Sequence, residues 1–163
     1  TKLQKIDYNQ SKISLYGKKI DVPRLQNWMA DDNISASLYQ KEKQLPWSKE
    51  VRLIKDELEK ITNFTFNYVL INLYRNGNDY ISYHSDSESI GDGKNIIASV
   101  SLGCTRKFVM RHKRWKEDNI EKKEFQLHSG CLLLMIGDET QRHWKHTVPK
   151  SKKIVTPRIN LTF

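Results

Sequence analysis

Cysteine is scarce in this 163-residue chain, with only Cys104 and Cys131 present. Two distant thiols without CxxC spacing exclude a disulfide framework and a thiolate zinc site, and they point to a reducing, intracellular location. No apolar run nears the roughly 20 residues of a membrane-spanning helix, so no membrane partner of that kind is expected. No signal-peptide pattern opens the sequence, which begins at Thr1. Repeats, low-complexity tracts, linkers and heptads are missing too, so the expectation is one domain acting as a monomer. Acidic residues are the minority among the charged ones: 19 Asp and Glu against 28 Lys and Arg, a formal net charge of +9. That excess favours a polyanionic partner, nucleic acid first and an acidic membrane surface second.

What is present is mostly strand pattern. The first 46 residues are polar and irregular, with islands at Ile13-Ser14-Leu15-Tyr16 and Ser37-Leu38-Tyr39 and punctuation by Pro23 and Pro46. Ser48 is placed to cap a helix running to about Thr62. Its Val51, Ile54, Leu58 and Ile61 recur at helical spacing and form a core-facing stripe. From residue 64 the signal is β, with strands at 64–75 and 79–84. Asn76-Gly77 between them predicts a type I′ hairpin. Further strands are expected near 96–102, 107–112, 123–127, 131–136, 143–148 and 158–163, with loops at 87–94 and 113–119. Seven or eight short strands after one helix predict a mainly β chain, a sandwich or jelly roll with a flanking helix.

One constellation carries chemistry. His84 and Asp86 sit at i and i+2, on one face of a strand, and can grip one ion. Two imidazoles and one carboxylate form the 2-His-1-carboxylate ligand set of non-haem Fe(II) oxygenases. The third ligand would come from His143-Trp144-Lys145-His146, and spacing alone does not choose between the two histidines. Such a centre calls for an electron-donating α-keto acid as cosubstrate, and the far carboxylate of a diacid needs a cation. Arg158, on an apolar terminal strand, is placed to supply it, because a buried guanidinium is costly unless paired; an ordinary solvated arginine is the alternative. Asn72 and Tyr74 share one face of the apolar run 69–74, where a buried Asn is either structural or a ligand contact.

The motifs Asn72-Leu73-Tyr74-Arg75-Asn76-Gly77, His84-Ser85-Asp86-Ser87-Glu88, Ile97 through Gly103, Arg106-Lys107-Phe108, His128-Ser129-Gly130 and Leu132 through Met135 occur in order. The run His143 through Pro149 and the ending Pro157 through Phe163 complete the set. Together they resemble the core of the AlkB family of Fe(II)- and 2-oxoglutarate-dependent dioxygenases. The resemblance is continuous from about residue 64 to the end and thinner back to about residue 13. It implies a double-stranded β-helix (jelly roll) over 64–163, a buttressing helix over 48–62, and an N-terminal nucleotide-recognition lid and wedge over 1–47. It implies His84, Asp86 and His146 as catalytic iron ligands, and Asn72, Tyr74, Arg158 and Asn160 as 2-oxoglutarate contacts. Glu88 falls near the target base, and Ser87 stands where close relatives carry Asp. The family pattern continues with a second arginine after the terminal Phe. This sequence ends at Phe163, so either it stops one residue short of that arginine or the chain lacks the cation, a loss that would weaken cosubstrate binding by about 1.5–3 kcal/mol.

The implied reaction is oxidative demethylation of 1-methyladenine and 3-methylcytosine in DNA, using Fe(II), 2-oxoglutarate and O2 and releasing formaldehyde and succinate. A methyl on the Watson–Crick edge is reachable only on an unpaired or flipped base. Leu15-Tyr16-Gly17-Lys18 with Arg24 resembles the wedge hairpin of homologues acting on duplex DNA, with Leu15 and Tyr16 intercalating and Lys18 and Arg24 on phosphates. A hydrophobic hairpin packed on the core is the plain alternative. Tyr39 is the candidate for stacking on the flipped base, and a carboxylate at Glu88 would favour cationic lesions. Two rival functions share the pattern: an RNA demethylase with the same centre, and a nucleic-acid-binding module with an inactive one.

Overall fold

The computed structural model describes residues 2–15, 17–32, 34, 44–86 and 96–163. Tyr16, Tyr39, Ser87, Glu88 and the expected loop at 87–94 lie outside the described residues. The described elements run β1 (Lys12–Leu15), β2 (Lys18–Asp21), β3 (Leu25–Ala30), α1 (Lys49–Thr62), β4 (Tyr68–Tyr74), β5 (Ile81–His84) and β6 (Ile96–Gly103). They continue with β7 (Arg106–His112), β8 (Lys123–Leu127), β9 (Leu132–Ile136), α2 (Asp138–His143), β10 (Trp144–Val148) and β11 (Arg158–Thr162). A five-stranded sheet has the order β3-β4-β11-β6-β9, a four-stranded sheet the order β5-β10-β7-β8, and β1-β2 is a separate hairpin. The pairings between these strands are antiparallel, Met29 and Leu45 form an isolated parallel bridge, and from β4 to β11 the chain changes sheet at every step except β7 to β8. This is the jelly roll that the strand count predicts.

Alternation decides what each face of the larger sheet does. Ile159 and Leu161 of β11 and Val69, Ile71 and Leu73 of β4 pack with Val51 and Leu58 of α1 in the main apolar core. The intervening residues Arg158, Asn160, Asn72 and Tyr74 therefore face the smaller sheet. There Ile97, Met135, Phe108, Met110 and Val148 form a second apolar cluster around Tyr74.

The helix begins where the sequence places it. Ser48 Oγ accepts the Val51 N–H at 3.3 Å, and Asn63 closes the last turn in the left-handed conformation. Ile61 does not join the core; it is 67% exposed. At 100° per residue it lies about 80° around the helix from Val51, on the rim of the stripe.

Four expectations change at the level of elements. Asn76-Gly77 is not a hairpin turn, because β4 and β5 belong to different sheets. It turns a corner between them, held by Asp79, which accepts from the Arg75 N–H at 2.8 Å and from its guanidinium at 2.8 and 2.9 Å. Gly77 is needed for close approach: a Cβ there would stand 1.7 Å from the Ser151 carbonyl oxygen. Second, Leu25–Ala30, expected in the lid, is an edge strand of the larger sheet, in register with Tyr68 to Leu73. Third, His143 ends the short helix α2 rather than opening a strand. Fourth, β4 starts at Tyr68 and β5 at Ile81, later than the apolar pattern suggests.

Candidate active site

His84 ends β5, Asp86 lies two residues beyond it, and His146 sits on β10 directly opposite His84 in the antiparallel register. One donor atom from each of the three lies within 4.8 Å of the others. His84 Nε2 is 3.4 Å from Asp86 Oδ1, and His146 Nε2 is 3.5 Å from Asp86 Oδ2. His84 Nδ1 is 2.9 Å from the Ser82 carbonyl oxygen, which can only accept. Nδ1 therefore carries the proton in that bond, and the lone pair on Nε2 points into the site. The His146 ring lies at 22° to Phe108 with centroids 5.2 Å apart, which fixes its plane.

Electrostatics suit a cation. Burial pushes the His146 pKa down to about 4, against the pull of Asp86, with His84 adding to the shift. The ring is therefore neutral, the form that donates to a metal. Burial alone would raise the Asp86 carboxyl, but the two neighbouring imidazoles outweigh that and hold it below its ordinary value. Two imidazole nitrogens and a carboxylate, gathered at one end of a cavity, fit a divalent transition metal with open coordination positions.

That cavity has a volume of about 250 Å³ and lies between the two sheets. The smaller sheet and its end supply His84, Asp86 and His146, and Asn72, Tyr74, Asn160 and Ser99 line the wall from the larger sheet. Arg158 is 1% exposed beside Tyr74, its guanidinium carbon 5.3 Å from the ring centroid. Its Nη2 donates to Ser101 Oγ at 2.9 Å, while Nε and Nη1 have no hydrogen-bond partner among the described residues. Burial pulls its pKa down; Tyr74 opposes this and the nearby Arg106 reinforces it. A guanidinium stays charged in proteins, so two orphaned donors call for an anion. The distal carboxylate of a small diacid fits that demand.

The sequence-predicted residues divide three ways. His84, Asp86, His146, Asn72, Tyr74, Asn160 and Arg158 come together between the sheets, and His143 does not. It is half exposed and pairs with Glu139 at 2.9 Å on the outside of α2. Arg24, expected on a phosphate, instead lines the cavity and donates from Nε to Asn72 Oδ1 at 2.8 Å. The cause is register: Gln26 pairs with Asn72, so Arg24, two residues earlier, falls on the same face. Gln26 Nε2 donates to the same Oδ1 at 3.0 Å. With its oxygen doubly occupied, Asn72 offers its NH₂ to the cavity. Gly17 and Lys18 stay on the β1-β2 hairpin, where Gly17 turns with φ +76° and every residue of β2 is exposed.

Several site residues were assigned no role from sequence. Ser99 and Gln26 were legible only through strand pairing. Arg106 is 1% exposed and donates to the carbonyls of Asn76, Asp79 and Pro149 at 3.1, 2.8 and 2.8 Å. It lies 5.5 Å from the Tyr74 ring centroid, so two buried guanidinium groups contact one ring.

Comparison with known proteins agrees with this geometry. Residues 2–163 match the family model of the 2OG-Fe(II) oxygenase superfamily. The chain is 38% identical over 160 residues to the DNA oxidative demethylase ALKBH2 of Bos taurus, covering 94% of this chain and 56% of that protein. It is 40% identical over 146 residues to the alpha-ketoglutarate-dependent dioxygenase alkB homolog 3 of Homo sapiens, covering 86% of this chain and 51% of that protein. The chain thus spans about half the length of the curated relatives it matches. Its fold is that of the solved structure of OsALKBH1, with a TM-score of 0.61 at 19% identity, covering 95% of this chain and 80% of that one. The chain belongs to the 2OG-Fe(II) oxygenase superfamily and, within it, to the AlkB family.

Proposed function

We propose that this chain is an Fe(II)- and 2-oxoglutarate-dependent dioxygenase that demethylates N-alkylated bases in DNA. The observation that carries the reading is the meeting of two features between the sheets. A neutral-histidine and carboxylate trio lines the cavity, and beside Tyr74, which lines it from the other sheet, Arg158 is buried with two guanidinium nitrogens unpartnered among the described residues. The relatives named above as an oxidative DNA demethylase and a dioxygenase support the substrate and reaction.

His84, Asp86 and His146 would hold the metal. Arg158 would pair with the distal carboxylate of the cosubstrate, and Asn72 and Tyr74 would orient it. When bound, iron and 2-oxoglutarate supply oxidation of the N-methyl carbon by O2, with release of carbon dioxide, succinate and formaldehyde. The chain's own part is to hold and orient. His84 keeps its proton on Nδ1 through Ser82, and Phe108 fixes the plane of His146. Arg24 and Gln26 fix which end of the Asn72 amide faces the cavity. Phe108, Met135 and Val148 line it with apolar surface that limits water. The preferred lesions are 1-methyladenine and 3-methylcytosine, whose positive charge a carboxylate at Glu88 favours over neutral bases.

The β1-β2 hairpin supports contact with the nucleic acid. Ile13 and Ile20 pair across it and are 46% and 45% exposed, so these strands are not packed on the core. A hairpin standing clear of the core, with the exposed Lys18 opening its second strand, suits contact with nucleic acid, and Leu15 and Tyr16 are the residues proposed to enter the base stack. The net charge of +9 suits the phosphates.

The test is a mass-spectrometric demethylation panel. It would present 1-methyladenine, 3-methylcytosine, 6-methyladenine and ethenoadenine in single-stranded DNA, duplex DNA and RNA. Loss of methyl from 1-methyladenine and 3-methylcytosine in DNA, with succinate and formaldehyde in equal amounts, is the expected result. Turnover confined to RNA would replace the proposal with an RNA demethylase. No turnover in any arm would leave an inactive binding module.

A further inference from the structure

Gln141 is 2% exposed, and no sequence feature draws attention to it. It lies on α2, five residues before His146. Its Oε1 accepts the backbone N–H of Asp86 at 2.9 Å. Among the described residues its Nε2 reaches only the Met135 thioether, at 3.4 Å, a weak acceptor. The Asp86 amide needs such a partner because strand pairing has stopped: β5 ends at His84, paired with His146. Next to it, Ser85 Oγ donates to the Trp144 carbonyl at 2.7 Å. The peptide joining Ser85 and Asp86 is therefore fastened at two points to the segment that leads into His146. That segment is anchored in turn. The Lys113 N–H donates to the His143 carbonyl at 2.7 Å, and Lys113 Nζ donates to the Gln141 carbonyl at 3.0 Å.

We propose that Gln141 is a positioning residue that sets the Asp86 carboxylate against His146 before a metal arrives. The inference rests on reading the trio as a metal site. His84 and His146 are held by strand register, and Asp86 lies two residues past the end of its strand, where its N–H is given to Gln141. A buried amide that gives its strong acceptor to a metal ligand's backbone, and leaves its NH₂ with a sulfur, is placed for that ligand rather than for its own hydrogen bonds. Ser85 supplies the second fastening.

The test uses Co(II) as the probe, titrated into the metal-free protein and read by ligand-field absorption. The parent, Gln141→Leu, Gln141→Glu, Ser85→Ala and Asp86→Ala are compared, with near-ultraviolet circular dichroism of each metal-free form. Gln141→Leu is expected to bind Co(II) about 10- to 100-fold more weakly, with altered bands. Gln141→Glu, which keeps an acceptor oxygen and protonates in this buried position, should restore affinity to within a few fold of the parent. Ser85→Ala should weaken binding in the same direction. Equal Co(II) affinity and bands in folded Gln141→Leu and in the parent would overturn the proposal. If Leu disturbs the fold, Gln141→Met, unbranched and of similar length, takes its place under the same criterion. If the parent binds Co(II) no better than Asp86→Ala, the metal-site reading itself fails, a result distinct from failure of the Gln141 role.

Discussion

Arg158 keeps a full positive charge where water does not reach, and among the described residues only one of its three nitrogens has a hydrogen-bond partner. That arrangement is costly for the fold alone and becomes sensible when an anion completes it. Replacing Arg158 with Met should lower 2-oxoglutarate affinity by about 1.5–3 kcal/mol, the worth of a hydrogen bond to a charged group. Calorimetric titration of the Mn(II)-loaded protein would read this as about a 10- to 100-fold weaker Kd. The thermal midpoint of the metal-free variant should not fall, since a buried and poorly paired cation has been removed. Asp79 is the opposite case, a buried carboxylate fully used by the fold. Burial would raise its pKa, but the hydrogen bonds from the Arg75 side chain and backbone outweigh that and hold it below 3.8. A carboxyl with a depressed folded pKa stabilises above its unfolded value and loses that contribution as pH falls through the folded one. Acid unfolding below about pH 3.8 should therefore carry an Asp79 term. Asp79→Asn should be less stable than the parent at neutral pH, and the gap should close on acidification, as followed by circular dichroism.

Elements decide which residues meet. The Asn76-Gly77 corner sends the chain from the sheet that holds Asn72, Tyr74, Arg158 and Asn160 to the sheet that holds His84 and His146. Its glycine is set by contact with the 151–154 loop rather than by a positive φ: the Gly77 N–H donates to the Ile154 carbonyl at 2.8 Å, and its carbonyl accepts the Ser151 N–H at 2.9 Å. Gly77→Ala would force the two loops apart. A loss of about 2 kcal/mol or more is expected by urea unfolding, comparable to other overpacked sites. The β1-β2 hairpin is the other informative element. Changing Leu15 and Tyr16 together to alanine should reduce turnover on duplex DNA far more than on single strands. Equal losses on both substrates would remove its flipping role. The short helix α2, with Gln141 facing Asp86, makes the approach to β10 a support for the site rather than a simple link between sheets.

At the scale of the whole molecule, function is divided between layers. The proposed metal ligands His84, Asp86 and His146 belong to the four-stranded sheet or its end, and Asn72, Tyr74, Arg158 and Asn160 to the five-stranded one. A diacid bound to both would staple the sheets together. Metal alone at a hundred times its Kd should stabilise the fold by about 2.7 kcal/mol. For a chain of this size that is a rise of roughly 5–10 °C in Tm. Mn(II) with the unreactive isostere N-oxalylglycine should raise the midpoint further than the metal alone. Asp86→Ala should abolish the metal increment and most of the added one. An isostere effect of the same size without metal would show that the two sheets are not bridged through the trio.

Local chemistry carried a large part of this protein. Ser48 and the apolar stripe behind it specify α1, the alternating runs specify most strands, and the His84-x-Asp86 spacing specifies two donors at one strand end. Those signals need only neighbours in sequence, which is why they could be read without a fold. The partner of a strand is not written in the strand. Asn76-Gly77 has the chemistry of a hairpin, yet β4 pairs with β11 and β3 while β5 pairs with β10, so the same dipeptide became a corner. Arg24 reads as a surface cation until register brings it onto Asn72. Gln141 is silent because its meaning lies in an amide 55 residues away. The residue types for a metal and an acid were set by sequence. That they face each other across one cavity, with His146 inside and His143 outside, was decided only when two sheets closed over the same space.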